Sequence, residues 1–288
     1  MKKLNVLLFL LLVFSLLFAL SPEKAYATEK VPVYKVYAVN YGYTPSYPAP
    51  FLMYLADASK NYPMDWSFWV IKGNGRVILM DTGCNEKLAK KWGLQNYERS
   101  DKALSNKLHI KPEEVTDIFI THMHWDHVGN CKLDYFPNAT IWMQKTELEF
   151  ASGEAGQNPW AQVAIQKDDA LRMVKYNWEG RLKLIDGNQE LYPGIKCYLF
   201  PRTHTYGSQA ISVNTKSGTV VLGQDLVYRF ENIDEMTPIG TGLDLYECYK
   251  ALVTLTEIAS SKRLIVPGHD PAVYERWTTP GKGVAEIK

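Results

Sequence analysis

The sequence predicts an α/β fold in which two β-sheets lie face to face between outer layers of helices, an αββα four-layer sandwich. Three observations point there. Short strand-like runs dominate the first part of the chain, and strand-like and helical segments alternate through the rest, as layered sheets and helices require. A hydrophobic content of 46% over 288 residues supplies a large core. Polar turns carrying His and Asp directly follow several apolar runs, at strand ends where α/β sheets tend to place their chemistry.

The chain opens on Lys2-Lys3, an almost wholly apolar run over 4–20, and the small-x-small site Ala25-Tyr26-Ala27. This is the pattern of a secretory signal peptide over 1–27, with cleavage after Ala27. The apolar run is short of the ~20 residues that a spanning helix needs. No cysteine follows it to take a lipid. The expectation is a secreted or extracytoplasmic protein, without a stable membrane anchor, whose residues 28–288 form a single domain. Cleavage removes three lysines and one glutamate from 32 basic and 31 acidic residues, turning a net charge of +1 into −1. No electrostatic footprint for nucleic acid is visible.

In order, 31–39 alternates well enough for a first strand. Residues 41–66 are rich in Tyr, Pro, Ala and Met, and Pro45, Pro48 and Pro50 exclude a plain helix. An irregular loop is expected here, carrying aromatic side chains toward a pocket or packing them on the core. Runs 67–71 and 76–80 flank Asn74-Gly75, a strong hairpin signal. The second run ends in Asp81-Thr82-Gly83. Residues 85–110 look helical and amphipathic, and 115–121 reads as a buried strand. Further strands are expected over 139–143, 182–185, 195–200, 211–214, 219–222 and 264–266. Helices are expected over 146–152, 160–174 and 243–260, with a loop over 153–159. Four cysteines, Cys84, Cys131, Cys197 and Cys248, include no C-x-x-C pair. Buried thiols are expected. Cys84 with Cys131 is the one pairing to test, because both follow turns of the site described next.

Residues 121–130 read Thr-His-Met-His-Trp-Asp-His-Val-Gly-Asn, an HxHxDH motif. A neutral imidazole is the commonest nitrogen ligand for zinc, and a carboxylate adds a hard oxygen. On a regular helix His122 and His124 would point about 200° apart, whereas an extended turn lets them share one ion. Asp126 and His127 would then open the following helix. The chain has six histidines, three of them here. His204 and His269 lie in polar turns after apolar runs, and only His109 is left over. Val221-Leu-Gly-Gln-Asp225 is another strand that ends on a carboxylate. Five histidines and two aspartates exceed the four ligands of one tetrahedral zinc and suit two ions. His122, His124 and His204 would hold one, and Asp126, His127 and His269 the other, with Asp225 bridging. Asp81, at a strand end, would fix a histidine tautomer. Zinc is the default for such a His-rich site, and iron, manganese or cobalt could use the same ligands.

HxHxDH, a lone His in a turn, a strand-end Asp and Pro267-Gly268-His269 together resemble the metallo-β-lactamase superfamily, over roughly residues 31–275. The Asp81-Thr82-Gly83 turn is similar to that family's supporting aspartate. The resemblance implies the αββα sandwich, with a dinuclear site at one edge of the sheets. Within the superfamily the chain looks most like the N-acyl-homoserine lactonases. Asp225 matches their bridging aspartate, Tyr228 their substrate-contacting tyrosine, and Gln144-Lys-Thr-Glu147 is similar to their pattern at that place. There is one departure. Where the family has Gly-His-Thr-Pro-Gly-His, this chain has Thr203-His204-Thr205-Tyr206-Gly207-Ser208, so that Tyr206 and Ser208 replace Pro and a second His.

This resemblance implies hydrolytic opening of a lactone, an N-acyl-homoserine lactone in a quorum-quenching role, by attack of a metal-bridging hydroxide. Tyr228 would donate to the developing oxyanion and Asp126 would pass a proton to the leaving alkoxide. Trp125 would border the pocket with Tyr43, Phe51 or Met53. The rivals are a glyoxalase II-like thioesterase, a phosphodiesterase and a β-lactamase on the same site, or a binding protein without catalysis. A phosphodiesterase needs cationic clamps, for which only Lys145, Arg202 and Arg229 offer themselves. The tail 278–288 does not resemble the basic segment of glyoxalase II.

Overall fold

The structure, a computed structural model, describes residues 31–288, so the expected signal peptide lies outside the described residues. The strands are β1 (Lys35–Pro48), β2 (Asn61–Gly73), β3 (Arg76–Met80), β4 (Asp117–Phe119), β5 (Thr140–Gln144), β6 (Leu182–Ile185), β7 (Gln189–Tyr192), β8 (Ile195–Phe200), β9 (Ser208–Thr215), β10 (Gly218–Gln224), β11 (Ile265–Pro267), β12 (Thr278–Gly281) and β13 (Val284–Ile287). Between them lie helices α1 (Glu86–Lys91), α2 (Ser100–Leu108), α3 (Trp125–Val128), α4 (Lys145–Ser152), α5 (Lys167–Trp178), α6 (Phe230–Asp234) and α7 (Leu245–Ile258), with several shorter helical turns. One sheet runs β12-β13-β1-β2-β3-β4-β5-β6 and the other β11-β10-β9-β8-β7.

The period of two along the strands builds the layers. Val36, Ala38, Trp69, Ile71, Ile78 and Met80 of the first sheet pack against Ile195, Ile211, Val213, Val220 and Leu222 of the second. Their neighbours Val39, Val70, Val77 and Leu79 face the other way, onto Leu88, Ala103, Leu104 and Met173 of the helices on that side. On the far side of the second sheet, Ala251, Leu252 and Leu255 of α7 pack against Ala210, Val221 and Ile265. Two sheets with a helical layer outside each give the expected αββα sandwich.

The Asn74-Gly75 hairpin is present. Gly73 pairs with Arg76, and Asn74 (φ 48°) and Gly75 (φ 71°) are both left-handed, as a tight type I′ turn requires. Residues 41–66 are a correction. They are not an irregular loop: β1 runs through to Pro48 and β2 begins at Asn61, joined by the helical turn Ala49–Leu52. The prolines are accommodated singly. Pro45 falls in a register shift between Thr44 and Tyr47, Pro48 ends its strand, and Pro50 sits in the first helical turn, where no backbone donor is needed. This hairpin reaches past the sheet and carries Tyr47, Met64 and Trp66 to the site.

The segment 85–110 is two helices instead of one. Asn85 caps α1 by accepting from Leu88 N (3.0 Å), Gly93 (φ 67°) follows its end, and α2 ends at left-handed His109 (φ 54°). The helical stretch expected over 160–174 is likewise split, into a turn over Ala161–Ala164 and α5. The sequence reading also missed β7 and the β12–β13 hairpin. β13 pairs antiparallel with β1, Val36 to Val39 opposite Ile287 to Val284, so the tail extends the first sheet. All four cysteines are buried free thiols, so Cys84 and Cys131 are not bridged.

Candidate metal centre

Five strands end at one edge of the sandwich. β3 and β4 are parallel neighbours in the first sheet. In the second, β8 and β10 both run antiparallel to β9, and β10 runs parallel to β11, so these three share a direction. Their C-terminal ends carry Asp81 after β3, His122 to His127 after β4, His204 after β8, Asp225 after β10 and His269 after β11. Neither sheet holds the cluster alone.

All seven residues proposed from the sequence come together. Their donor atoms form two groups, His122, His124, His204 and Asp225 in one, and Asp126, His127, Asp225 and His269 in the other, with the atoms of each group within 4.8 Å of one another. Asp225 belongs to both, and its two oxygens divide between them. Oδ2 lies 3.2 Å from His204 Nε2 and 3.8 Å from His122 Nε2. Oδ1 lies 3.2 Å from His127 Nε2 and 3.1 Å from His269 Nε2. Asp126 Oδ2 is 3.0 Å from His127 Nε2, and His124 Nδ1 is 2.8 Å from His204 Nε2. His109 is elsewhere, at the end of α2.

The outward ring nitrogens fix the tautomers. His127 Nδ1–H donates to Asp81 Oδ2 (2.8 Å), and His269 Nδ1–H donates to the Asp65 carbonyl (3.0 Å), so each turns its Nε2 inward. Asp81 also accepts from Thr121 N (2.8 Å), from the Thr121 hydroxyl (2.7 Å) and from Gln224 Nε2, tying the ends of β3, β4 and β10 together. Asp81 (φ 62°) and Gln224 (φ 47°) hold left-handed backbone at these ends, the kind of strain that gathers at functional sites.

The electrostatics suit cations. Burial, then His127 and His124, hold the His122 imidazole far below its ordinary range, and burial with His204 brings His124 down to about 3. Both are neutral donors. Burial opposes charge on His127, yet Asp126, Asp225 and Asp81 outweigh it and push the group well above its usual range. Burial likewise opposes ionisation of Asp225, but His127, His269 and His204 hold it well below the usual carboxylate range. The carboxylates thus demand positive charge at the centre. Buried His122 Nε2 has no hydrogen-bond partner, and His127 Nε2 meets only the carboxylates of Asp126 and Asp225. Bare nitrogens beside ionised carboxylates are a donor set that fits divalent ions.

A carboxylate that the sequence reading left without a role braces the site. Buried Glu147, on α4, accepts from Met123 N (2.7 Å) with Oε1, and from Gly207 N (2.8 Å) and the Thr205 hydroxyl (2.8 Å) with Oε2. It joins the backbone between His122 and His124 to the turn that carries His204. Gly207 leaves no room for a Cβ against the Glu147 backbone. Ser208, where the family has a second histidine, closes that turn, its Oγ accepting from Thr205 N (2.9 Å). Tyr206 stacks on Phe150 with ring centroids 4.1 Å apart.

Above the cluster opens a cavity of about 780 Å³ with largely apolar walls. His124, Asp126, His204, Asp225 and His269 lie at its polar end, and Phe51, Trp66, Trp125, Phe150, Trp160 and Tyr206 are among its walls. Trp125 stacks on Trp92 at 5.5 Å and contacts Trp66 at 5.4 Å. Of the expected neighbours of Trp125, Phe51 lines the cavity whereas Tyr43 and Met53 do not. The reason is the strand that replaced the expected loop: alternation along β1 turns Thr44 to the cavity and Tyr43 away, and the register shift between Thr44 and Tyr47 brings Tyr47 to the cavity too. Met53, past the Ala49–Leu52 turn, packs against the core. Tyr228 is at the wall, its ring 5.8 Å from His204 and 5.4 Å from His269. Burial, then Asp225, pushes its phenol well above the ordinary range.

Layering and donor set together mark a metal-dependent hydrolase. A family model for the metallo-beta-lactamase superfamily matches residues 66–269, and the chain belongs to that superfamily. It is similar to the N-acyl homoserine lactonase AiiA of Bacillus thuringiensis subsp. kurstaki, 27% identical over 208 residues, covering 67% of this chain and 76% of the relative. Its fold is similar to that of an N-acyl homoserine lactone hydrolase solved with the product N-hexanoyl-L-homoserine at its metal centre (TM-score 0.69, 22% identity, 86% of this chain and 98% of that one). It is also similar to that of AidC, a dizinc quorum-quenching lactonase (TM-score 0.65, 18% identity, 89% and 97%).

Proposed function

We propose that the chain is an exported, dinuclear lactonase that opens N-acyl homoserine lactones and so quenches quorum signals. The observation that carries this reading is Asp225, whose two oxygens face two separate donor groups below an apolar cavity that Tyr228 lines. His122, His124 and His204 would hold one divalent ion, Asp126, His127 and His269 the other, and Asp225 both, with zinc as the expected metal. When bound, such ions supply a nucleophilic hydroxide near neutral pH and polarise an ester carbonyl.

The chain's own residues do the rest. The phenol of Tyr228 stays protonated at neutral pH and can donate to the oxyanion that develops on the lactone carbonyl. Asp126 lies at the polar end of the cavity as an ionised carboxylate, since His127 and His269 outweigh the effect of burial. It can take up a proton and deliver it to the departing alkoxide. The apolar walls accept the acyl chain and exclude water. Lys145, Arg202 and Arg229 are absent from the cavity lining, which leaves a phosphodiester without side-chain cations beside the metal centre.

The test is proton release in a pH-stat by the metal-loaded chain from Thr28. The panel holds acyl-homoserine lactones, a plain γ-lactone, a thioester, a phosphodiester and a β-lactam. Lactone turnover with kcat/KM above ~10⁴ M⁻¹s⁻¹, lost on chelation, is expected. Turnover of only a thioester, phosphodiester or lactam sinks the lactonase assignment. Export rests on the Lys2-Lys3 start, the apolar run and Ala25-Tyr26-Ala27, and predicts secreted protein whose N-terminus is Thr28. Retention of residues 1–27 in the secreted chain would refute it.

A further inference from the structure

The loop before α7 contributes a residue with no assigned part in the chemistry. Thr241 lines the cavity. Its Oγ1 lies 3.3 Å from His204 Nδ1 and 3.1 Å from the Tyr228 hydroxyl. The loop that presents it is held on both sides. Pro238 O accepts from Tyr54 N (2.8 Å), and Leu243 N donates to Thr203 O (2.6 Å), one residue before His204. Gly240 and Gly242 flank Thr241, and a Cβ on either would collide, with the Pro50 carbonyl at Gly240 and with Cys248 Sγ at Gly242. The threonine hydroxyl is therefore set in place by backbone packing.

The direction of the two hydrogen bonds follows from proton accounting. His204 turns Nε2 toward the centre, 3.2 Å from Asp225 Oδ2, so as a ligand it carries its proton on Nδ1. That Nδ1–H donates to Thr241 Oγ1. A hydroxyl has one hydrogen to give. Among the described hydrogen bonds of Thr241 Oγ1, the remaining partner is the Tyr228 oxygen, so Thr241 O–H donates there. Were Tyr228 the donor instead, the half-buried threonine hydrogen would have no protein acceptor among the described hydrogen bonds, the less favourable arrangement once substrate displaces water from the cavity. The Tyr228 hydrogen is then left free for the cavity.

We infer that Thr241 is a positioning residue: it relays the hydrogen-bond direction set by His204 to Tyr228, so that the tyrosine hydroxyl points its proton at the substrate carbonyl. This rests on the lactonase reading for the identity of the substrate, but not for the relay itself. It also couples a metal-ligand candidate to the cavity tyrosine, because His204 holds the tautomer that aims the phenol.

The experiment compares Thr241→Val, Thr241→Ser, Tyr228→Phe and the Val–Phe double variant as zinc-loaded full mature chains. Thr241→Val should lower kcat on an acyl-homoserine lactone about tenfold, the effect of one hydrogen bond, with KM within about twofold and zinc content unchanged. Thr241→Ser should restore most of the rate. In the Tyr228→Phe background the Val change should cost no further activity. An equal loss in both backgrounds, loss of zinc from Thr241→Val, or no rescue by Ser would overturn the relay. A readout independent of turnover is the imidazole Nδ1 proton of His204, followed by ¹H–¹⁵N NMR. It should exchange slowly in the wild type and the Ser variant, and fast in the Val variant. Equal exchange in all three overturns the inference. Failure of the wild type to open any lactone would sink the lactonase reading while leaving this proton measurement to decide the role of Thr241.

Discussion

Glu147 offers the sharpest test of how the metal centre is held. Its carboxylate accepts three hydrogen bonds, from Met123 N, Gly207 N and the Thr205 hydroxyl, at 2.7–2.8 Å. Burial pushes its pKa up in spite of all three, so the charge itself is costly and these bonds are what keep it tolerable. Glu147→Gln removes the charge and turns one oxygen into a donor. Whichever way the amide lies, its nitrogen meets a backbone N–H, that of Met123 or that of Gly207. At least one charge-assisted bond is lost, worth about 1.5–3 kcal/mol, while relief of the buried charge offsets part of that. We expect about 1–2 kcal/mol lower stability in the metal-free protein, read by urea unfolding. The larger effect should fall on metal. Met123 lies between His122 and His124, and Gly207 shares its turn with His204, so both donor segments lose their brace together. Substitutions that loosen the support of ligands typically cost 10–100-fold in metal affinity. Zinc titration of the apo protein against a competing chelator measures this. Glu147→Gln with affinity within twofold and stability within about 0.5 kcal/mol of wild type would refute the bracing role.

Three further outcomes are expected. Tyr228→Phe should lose about 10²-fold in kcat on lactones, close to the ~3 kcal/mol typical of a lost oxyanion donor, and an unchanged kcat/KM in steady-state assays removes Tyr228 from the mechanism. Each methylene added to the acyl chain should raise kcat/KM about fourfold, from ~0.8 kcal/mol per buried methylene, until the cavity is filled; a flat series would show that the apolar walls do not bind the chain. Burial, against a hydrogen bond from Asn40, pushes the Asp65 carboxyl up to about 6, with Asp270 adding to it. The folded state then binds more protons between pH ~4 and 6, so this contribution to stability is present below ~4 and lost as pH rises through 6. In the metal-free protein Asp65→Asn should therefore stabilise at pH 8, by up to ~3 kcal/mol, with the gain gone near pH 4; denaturant unfolding at both pH values checks it.

What was legible in the sequence depended on how local the signal was. HxHxDH, the turns at His204 and His269, and Asp225 each follow an apolar run, and a ligand at a strand end announces itself within a few residues. Asp81 could be read for the same reason. Glu147 and Thr241 could not, because each acts on segments far along the chain. Glu147 sits on a helix and reaches two turns, and Thr241 occupies a loop whose only local signal is its flanking pair, Gly240 and Gly242. The hairpin over 41–66 was misread because proline density dominates a local reading. A register shift, a strand end and a first helical turn each tolerate one proline, and none of these positions shows in composition. The β12–β13 hairpin was missed because it is short and takes its stability from pairing with β1, at the opposite end of the described chain.

The distribution of donors over the two sheets has a mechanical consequence. His122, His124, Asp126 and His127 hang from the first sheet, and His204, Asp225 and His269 from the second. The separation between the two groups is therefore set by the inter-sheet core, where Ile78, Met80 and Phe119 meet Val213, Val220 and Leu222. Such a core is packed like a crystal and does not deform continuously. At the site edge, strained Asp81 and Gln224 join across the gap through their side chains. That link holds the end of β10, and with it Asp225, against the end of β3. Each donor group draws members from both sheets, so Asp225 can complete the two of them only if the sheets keep this distance. The sandwich is thus the device that presets how the donors of each group meet across the two sheets, and the left-handed backbone at residues 81 and 224 is sustained by the packing around it.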